Sequence, residues 1–378
     1  MRIAFTTTFD AQDIHNWSGT PFHMARAFML QGIEIDYIGS LKRKLPAFFK
    51  VKQVWNKYMS NQRESPRFNV TAAKYYSQQV AEKLKTLSAD AIVSPLINPI
   101  AYLDSDIPLV LWTDSVYAGL LGFYPDFNYH SASSIRQGNQ MTADCLARCK
   151  LAIFSSEWAA NSAIEIYGAD RKKVKVVPYG ANIESAPTAE QARYLIEHRA
   201  TDKIKLLFLA KSWERKGGDI ALAVAKTLHD AGEAVELTII GYTPKLNPLP
   251  AYVKCLGYQS KQTPQGRSKI VEALSQSHFL ILPSRAEAYG IAFCEANAYG
   301  LPCLTSYIGG IATVIKDHIN GMTFSLNASV DEYCNYIINL MHDKNRYKKL
   351  ALSAYQEFSS RLNWQVATRQ VKNLIAGI

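Results

Sequence analysis

The sequence predicts an α/β protein made of two doubly wound halves, each a parallel sheet covered by helices. Three observations carry this. Short aliphatic runs alternate with longer amphipathic stretches, the pattern of parallel strands joined by crossover helices. The alternation lapses over a polar stretch, 185–202, and then begins again. The chain has 378 residues, the length of two domains at roughly 150 residues each.

Residues 2–5 open as a strand. A helix is predicted over 20–31, with apolar spacing at Phe22, Ala25, Ala27 and Leu30 and with Gly32 as its stop. Residues 33–38, 91–94, 109–112, 151–154 and 174–177 read as further strands, and 70–87, 132–148 and 157–167 as helices. The 185–202 stretch is rich in Ala, Glu and Arg and is itself suited to a helix. Residues 204–210 (IKLLFLA) read as a fully buried strand, 218–231 as a helix ending before Gly232, and 235–241 as a strand. Thr263 and Pro264 are a cap and first turn for a helix through 275. A strand over 278–282, a helix over 290–299 and a strand over 302–305 follow. Helices are expected near 311–316, 330–342 and 345–360, and 364–378 has an apolar face at Val366, Val371 and Leu374. The predicted domains are therefore 1–184 and 185–360, with 361–378 a helix packing back on the first.

Composition narrows the class. Apolar residues make up 48% and charged residues 20%, ordinary for a globular protein. The six cysteines, at 145, 149, 255, 294, 303 and 334, form no CxxC pair and no zinc-ligand spacing. That argues against a disulfide scaffold and a structural zinc site, and for a reducing compartment. The start, MRIAFTTTFD, is too short an apolar run for a signal peptide, and no 18-residue apolar run suggests a membrane span. The net charge of +10 is concentrated. Between 41 and 67, Lys42, Arg43, Lys44, Lys50, Lys52, Lys57, Arg63 and Arg67 face Glu64 alone, which is +7 of the total.

The richest segment for chemistry is 279–301, FLILPSRAEAYGIAFCEANAYGL. A buried strand runs into a short loop carrying Glu287, and Gly290 opens a helix containing Glu295. Glu287 thus sits at a strand's carboxyl end, where doubly wound sheets bind ligands. A helix start offers free N–H groups to a phosphate, and the two carboxylates could accept hydrogen bonds from sugar hydroxyls. Taken alone, the pair reads first as a surface loop and an exposed helical Glu. A second element, AKSWERKGGDIAL at 210–222, also leaves a buried strand. Its cations Lys211, Arg215 and Lys216, with Gly217 and Gly218 for close backbone approach, suit a diphosphate. Gly309 and Gly310 mark a third strand-to-helix loop.

The spacing of Glu287 and Glu295 in EAYGIAFCEANAYGLP resembles the E-x7-E signature of family 4 retaining glycosyltransferases, the glycosyl transferases group 1 of GT-B fold. The likeness continues at WERKGGD, at VKVVPYGAN (174–182), at IGGI (308–311) and at NWSGTPFHMARAF (16–28). The resemblance implies a GT-B fold, two Rossmann-like domains facing across a cleft, the first holding the acceptor and the second a nucleotide-diphosphate sugar. It implies that Glu287 contacts the donor hexose and Glu295 the ribose hydroxyls. Arg215 and Lys216 would neutralise the diphosphate, with Lys216 the firmer match. Lys211 follows Ala210 where many members keep an Arg after Gly. Backbone groups of Tyr289, Gly290 and Ile291 would reach the sugar and phosphates, and Gly19 would approach the diphosphate from the first domain. Retention in this family is commonly described as front-face attack, with the departing phosphate helping to take the acceptor's proton. No side chain stands out as the base. Asp114, after a strand of the first domain, is a candidate for acceptor binding or proton handling, and equally for a helix cap.

No metal site and no cofactor are expected, in keeping with GT-B enzymes. Asp104-Ser105-Asp106 looks like a DxD motif but precedes a strand, and reads as a surface turn. His23 reads as structural. Residues 42–59, KRKLPAFFKVKQVWNKYM, interleave apolar and basic side chains. They could lie on an anionic membrane surface or pack as a helix on the first domain. Non-specific phosphate binding is the third reading, and no nucleic-acid recognition motif accompanies it.

The expected activity is transfer of a hexose to a glycan or lipid-linked acceptor in cell-surface polysaccharide or glycolipid synthesis. The expected location is cytoplasmic, at most peripheral on the inner face of the membrane. The alternatives are a GT-B nucleotide-sugar epimerase and a non-catalytic sugar-nucleotide-binding membrane scaffold.

Overall fold

The central strands form where apolar side chains run unbroken, and several helices begin where a polar side chain caps an amphipathic run. The structure, a computed structural model, describes residues 1–378. In chain order the first part forms β1 (Arg2–Thr6), α1 (Thr20–Leu30), β2 (Glu34–Ile38), α2 (Phe49–Ser60), α3 (Val70–Leu84), β3 (Ala91–Ser94), β4 (Leu109–Thr113), α4 (Tyr117–Leu120), α5 (Ala132–Arg148), β5 (Leu151–Phe154), α6 (Glu157–Tyr167) and β6 (Val174–Val176). The second part forms α7 (Ala189–Glu197), β7 (Ile204–Leu209), α8 (Gly218–Asp230), β8 (Val235–Ile240), β9 (Val253–Gly257), α9 (Pro264–Gln276), β10 (Phe279–Leu282), α10 (Ile291–Asn297), β11 (Cys303–Ser306), α11 (Ile311–Val314), β12 (Gly321–Phe324), α12 (Val330–Met341) and α13 (Lys344–Arg361). The last element is α14 (Trp364–Ala376). The chain divides into two compact units, Met1–Pro178 with Trp364–Ile378, and Tyr179–Asn363.

In the first unit six parallel strands lie in the order β2-β1-β3-β4-β5-β6. Strands β3, β4 and β5 are buried along their whole length, which is why they read as continuous aliphatic runs. The order reverses between β1 and β3, so the loop after β1 leaves at a switch point. The last helix completes this unit. Thr368 Oγ1 donates to the Ala27 carbonyl (3.4 Å) and Lys372 Nζ to that of Gln31 (3.0 Å). Trp112 of β4 stands edge-on to both Phe28 of α1 and Trp364 of α14, at 5.9 and 5.7 Å between ring centres.

The second sheet is also parallel, in the order β12-β11-β10-β7-β8-β9. Counted from β7 this is the doubly wound order 3-2-1-4-5-6, and it reverses between β7 and β10. Side chains fix where several of this unit's helices begin. Thr188 and Gln191 close a capping box on α7, and Ser329 and Glu332 close another on α12. Thr263 accepts from the Gly266 N–H, with Pro264 in the first turn of α9.

Several expectations are corrected. The sequence did not predict β9 or β12, the two edge strands of the second sheet. β9 is mostly half-exposed and β12 begins on a glycine. That glycine is required: a Cβ on Gly321 would lie 2.1 Å from the Cys303 carbonyl oxygen. The 311–316 helix is a single turn, and α3 stops at Leu84 rather than 87. Residues 179–184, which the sequence assigned to the first domain, lie in the second unit. No helix is long and apolar enough to cross a membrane.

Candidate functional site

The loops leaving β7 and β10 at the reversal point carry most of the predicted residues, and hydrogen bonds lace the two together. The Arg285 backbone N–H donates to the Arg215 carbonyl (2.7 Å), and Arg215 Nη1 donates to that of Ala286 (2.8 Å). The Arg285 side chain donates to the Glu214 carbonyl (2.6 Å) and grips the Asp219 carboxylate with two bonds of 2.8 and 2.7 Å. Gly217 holds φ 71°, and a Cβ there would lie 2.1 Å from the Pro283 carbonyl oxygen. A Cβ on Gly218 would strike the Trp213 ring at 2.2 Å. The glycine pair that the sequence assigned to a ligand's close approach is thus needed by the protein's own packing.

At the centre Lys216 and Glu287 form an ion pair, each side chain about one-tenth exposed, with Arg215 Nη1 3.6 Å from the same carboxylate. Lys216 Nζ also stands 5.8 Å from the centre of the Phe293 ring. Burial, and after it the Arg215 charge, draw the Lys216 ammonium down to about 7. The Glu287 carboxylate against it acts in the opposite sense. The Gly310 N–H donates to the Glu287 carbonyl (3.1 Å), so the glycine loop after β11 reaches the same point.

Glu295, on α10, is 3% exposed and pairs with Lys261, whose Nζ also donates to the Asn182 carbonyl (3.2 Å). Arg267 holds the Lys261 turn through that residue's carbonyl (2.8 Å) and that of Gln262 (2.9 Å). The Tyr289 hydroxyl donates to the Tyr179 carbonyl (2.6 Å), so its side chain is committed to packing and its backbone is what remains. Burial pushes that phenol well up. Gly290, at φ 97°, precedes α10, and Ile291 is the first residue of the helix. Three cations, Arg215, Lys216 and Lys261, thus meet two carboxylates, Glu287 and Glu295. One positive charge is left over, and that favours an anionic ligand.

The sequence profile of the family described as glycosyl transferases group 1 matches residues 195–357, a stretch that holds all of these groups except Tyr179 and Asn182. Over that stretch the chain is similar to the glycosyl transferases group 1 family. A D-inositol 3-phosphate glycosyltransferase from Nocardia farcinica is 26% identical over 206 residues, 52% of this chain and 46% of that protein. The chain spans about half the length of the curated relatives it matches. Among solved structures, sucrose-phosphate synthase from Thermosynechococcus elongatus superposes with a TM-score of 0.70 at 13% identity, over 100% of this chain and 98% of that one. Alr3699/HepE from Anabaena, solved in complex with UDP and glucose, superposes with a TM-score of 0.61 at 14% identity, over 100% and 99%. What is shared at these identities is the fold, the α/β GT-B fold of two Rossmann-like domains.

The predicted residues divide between the two units. Glu287, Lys216, Arg215, Tyr289, Gly290, Ile291 and Glu295 gather on the switch-point loops and helix of the second. Lys211 does not join them: it is exposed and its ammonium lies 4.7 Å from the centre of the Tyr258 ring. Gly19 and Asp114 lie in the first unit. Gly19 (φ 83°) ends three consecutive left-handed residues, after Trp17 (φ 47°) and Ser18 (φ 55°). Such backbone costs about 1–3 kcal/mol at each non-glycine and tends to gather at functional loops.

Asp114 follows β4 and accepts from Ser115 Oγ (2.9 Å). It is not the helix cap that the sequence left open, because Val116 precedes α4 and no side chain caps that helix. Burial pushes the Asp114 carboxyl up, opposed by the Ser115 bond and the Arg67 charge. His23 is buried edge-on to Phe22, in keeping with a structural role. Sequence reasoning missed Lys261. Its only signal was a cation just ahead of the Thr263 cap.

Proposed function

We propose that the protein transfers a hexose from a nucleotide-diphosphate sugar to a glycan or lipid-linked acceptor, with retention at the anomeric carbon, in the synthesis of a cell-surface polysaccharide or glycolipid. The observation that carries this reading is the pair of buried carboxylates, Glu287 and Glu295, each held by its own lysine beside the switch point. Buried carboxylates held in place are well suited to a ligand rich in hydroxyls, because each presents further lone pairs in fixed directions. Glu295 takes the ribose diol and Glu287 the donor hexose. Arg215 and Lys216 receive the diphosphate. The nucleotide bound by Alr3699/HepE, a protein of the same fold, supports the choice of donor class.

The chemistry follows from where charge develops. The bond between the anomeric carbon and the phosphate oxygen breaks, and its electron pair leaves on the diphosphate. Arg215 and Lys216 stabilise that growing negative charge, and they are positioned before the reaction begins. The acceptor hydroxyl bonds to the anomeric carbon from the same face, and its proton passes to the departing phosphate. Asp114, with its carboxyl pushed up by burial, is the protein group proposed to assist at the acceptor. These cations do the work a divalent ion would otherwise do, so the reaction proceeds without metal.

A panel of uridine, guanosine and adenosine diphosphate sugars tests this by thermal shift. The true donor at about 100 times its Kd stabilises by roughly 2.7 kcal/mol. The same donor should then be slowly hydrolysed without acceptor, at a rate that EDTA leaves unchanged. Stabilisation with no hydrolysis or transfer identifies a binding scaffold instead, and no stabilisation by any nucleotide sugar rejects the donor site.

A further inference from the structure

Helix α2 turns its apolar side away from the protein. At 3.6 residues per turn, Phe48, Val51, Val54, Trp55, Tyr58 and Met59 share one arc of about 140°. All six are between 55 and 81% exposed. The inward side has only Phe49, at 6%, and Asn56. What seats the helix is polar. The buried Glu64 carboxylate accepts from Asn56 Nδ2 (2.7 Å), pairs with Lys52 (3.0 Å), and accepts from Ser131 and Ser134 at the start of α5 (2.8 and 3.2 Å). Lys52 borders the apolar arc on one side, and Lys50 and Lys57 border it on the other. Lys42, Arg43 and Lys44 are exposed just ahead of the helix, and no acidic residue lies within it.

We propose that α2 docks in the plane of an anionic lipid bilayer, with this arc dipped among the acyl chains and the flanking lysines at the headgroups. The surface stands outside the donor site and its test reads no transfer, so it fails or holds independently of the function above. The face has an apolar centre and a cationic margin, which matches the layering of a bilayer surface. Trp55 and Tyr58 suit the interfacial level, and the lysine stems let their charges reach the headgroups. A nucleic acid would need cations at the centre of the face, where this one has Val51 and Trp55. A second copy seated on the same arc would bring Lys50 and Lys57 against their own counterparts with no acid on the helix to pair them.

The test is co-sedimentation of the full chain with phosphatidylcholine vesicles, with and without phosphatidylglycerol, for the wild type, Lys50→Glu/Lys57→Glu and Val51→Glu/Trp55→Glu. Lys52 is left in place because it pairs with Glu64. All four substituted side chains are exposed, so unchanged unfolding midpoints establish that both variants fold. The wild type should bind the anionic vesicles and not the neutral ones. Each lysine near such a surface is worth about fivefold, so the charge variant should bind at least ~20-fold more weakly. The glutamate pair in the apolar arc should lose at least as much. Equal sedimentation of wild type and variants overturns the proposal, as does equal binding to neutral and anionic vesicles. Retention by an oligonucleotide but not by vesicles overturns it in favour of nucleic acid. Self-association without lipid that the variants abolish overturns it in favour of a second copy.

Discussion

A carboxylate as buried as Glu295 needs a positive partner, and it finds one in Lys261. Lys261 is itself one-third exposed, so it can give way when hydroxyls arrive at the carboxylate. Glu295→Ala should therefore lower nucleotide-sugar affinity by about 1–3 kcal/mol, the worth of hydrogen bonds to a charged group. Calorimetry with the donor found by the panel measures this, and an unchanged Kd would remove Glu295 from the donor site. At this scale the sequence was legible wherever the relevant groups are close in the chain. Glu287 and Glu295 lie on one loop–helix segment, and Arg215 and Lys216 are adjacent. Lys261 was not legible, because its partner lies 34 residues on and its position depends on the loop after the edge strand β9. The charge of Lys211 was visible, but not that it would lie over Tyr258.

The seam between β7 and β10, the strands that flank the switch point, begins with a two-way clasp. The His278 N–H donates to the Lys205 carbonyl (2.7 Å), and the Lys205 N–H donates to His278 Nδ1 (3.0 Å). An accepting Nδ1 means a neutral ring. Burial first, and then the charges of Arg199 and Lys205, hold its pKa at about 4, below the ordinary 6.5. The unfolded chain takes a proton near 6.5, and the folded one resists until about 4. This contribution to stability is complete above pH 6.5 and is lost as pH falls towards 4, approaching ~3 kcal/mol. His278→Gln, which does not titrate, should lose less stability than the wild type between pH 7 and pH 4.5 in urea unfolding. Equal losses would show that the ring is not the acid-sensitive group. The central strands were readable because burial on both faces demands unbroken aliphatic runs. The edges β9 and β12 escaped because one is mostly half-exposed and the other starts on glycine. In α2 the helical period was readable but its sense was not, since the same spacing serves an arc facing inward or outward.

At the scale of the whole molecule, two doubly wound halves followed from alternation and length. The segment of the second unit before α7 had no such signature, being neither apolar nor periodic. The fold also binds the two ends of the chain into one unit. Deleting residues 364–378 would uncover Phe28 and Trp112, both otherwise fully buried. In a calorimetric scan the first unit's transition should weaken or vanish, with increased binding of a hydrophobic dye, while nucleotide-sugar binding to the second unit persists. A scan unchanged by the deletion would mean that α14 adds nothing to that core. The position of this helix also bears on biosynthesis. Domains made early usually fold as they leave the ribosome, but here the earlier-made half must wait through the whole translation of the later one for its closing piece. Throughout that interval Trp112 lacks the Trp364 ring that stands against it in the finished fold. A message that stops just short of codon 364 would deliver a complete second unit attached to an unfinished companion.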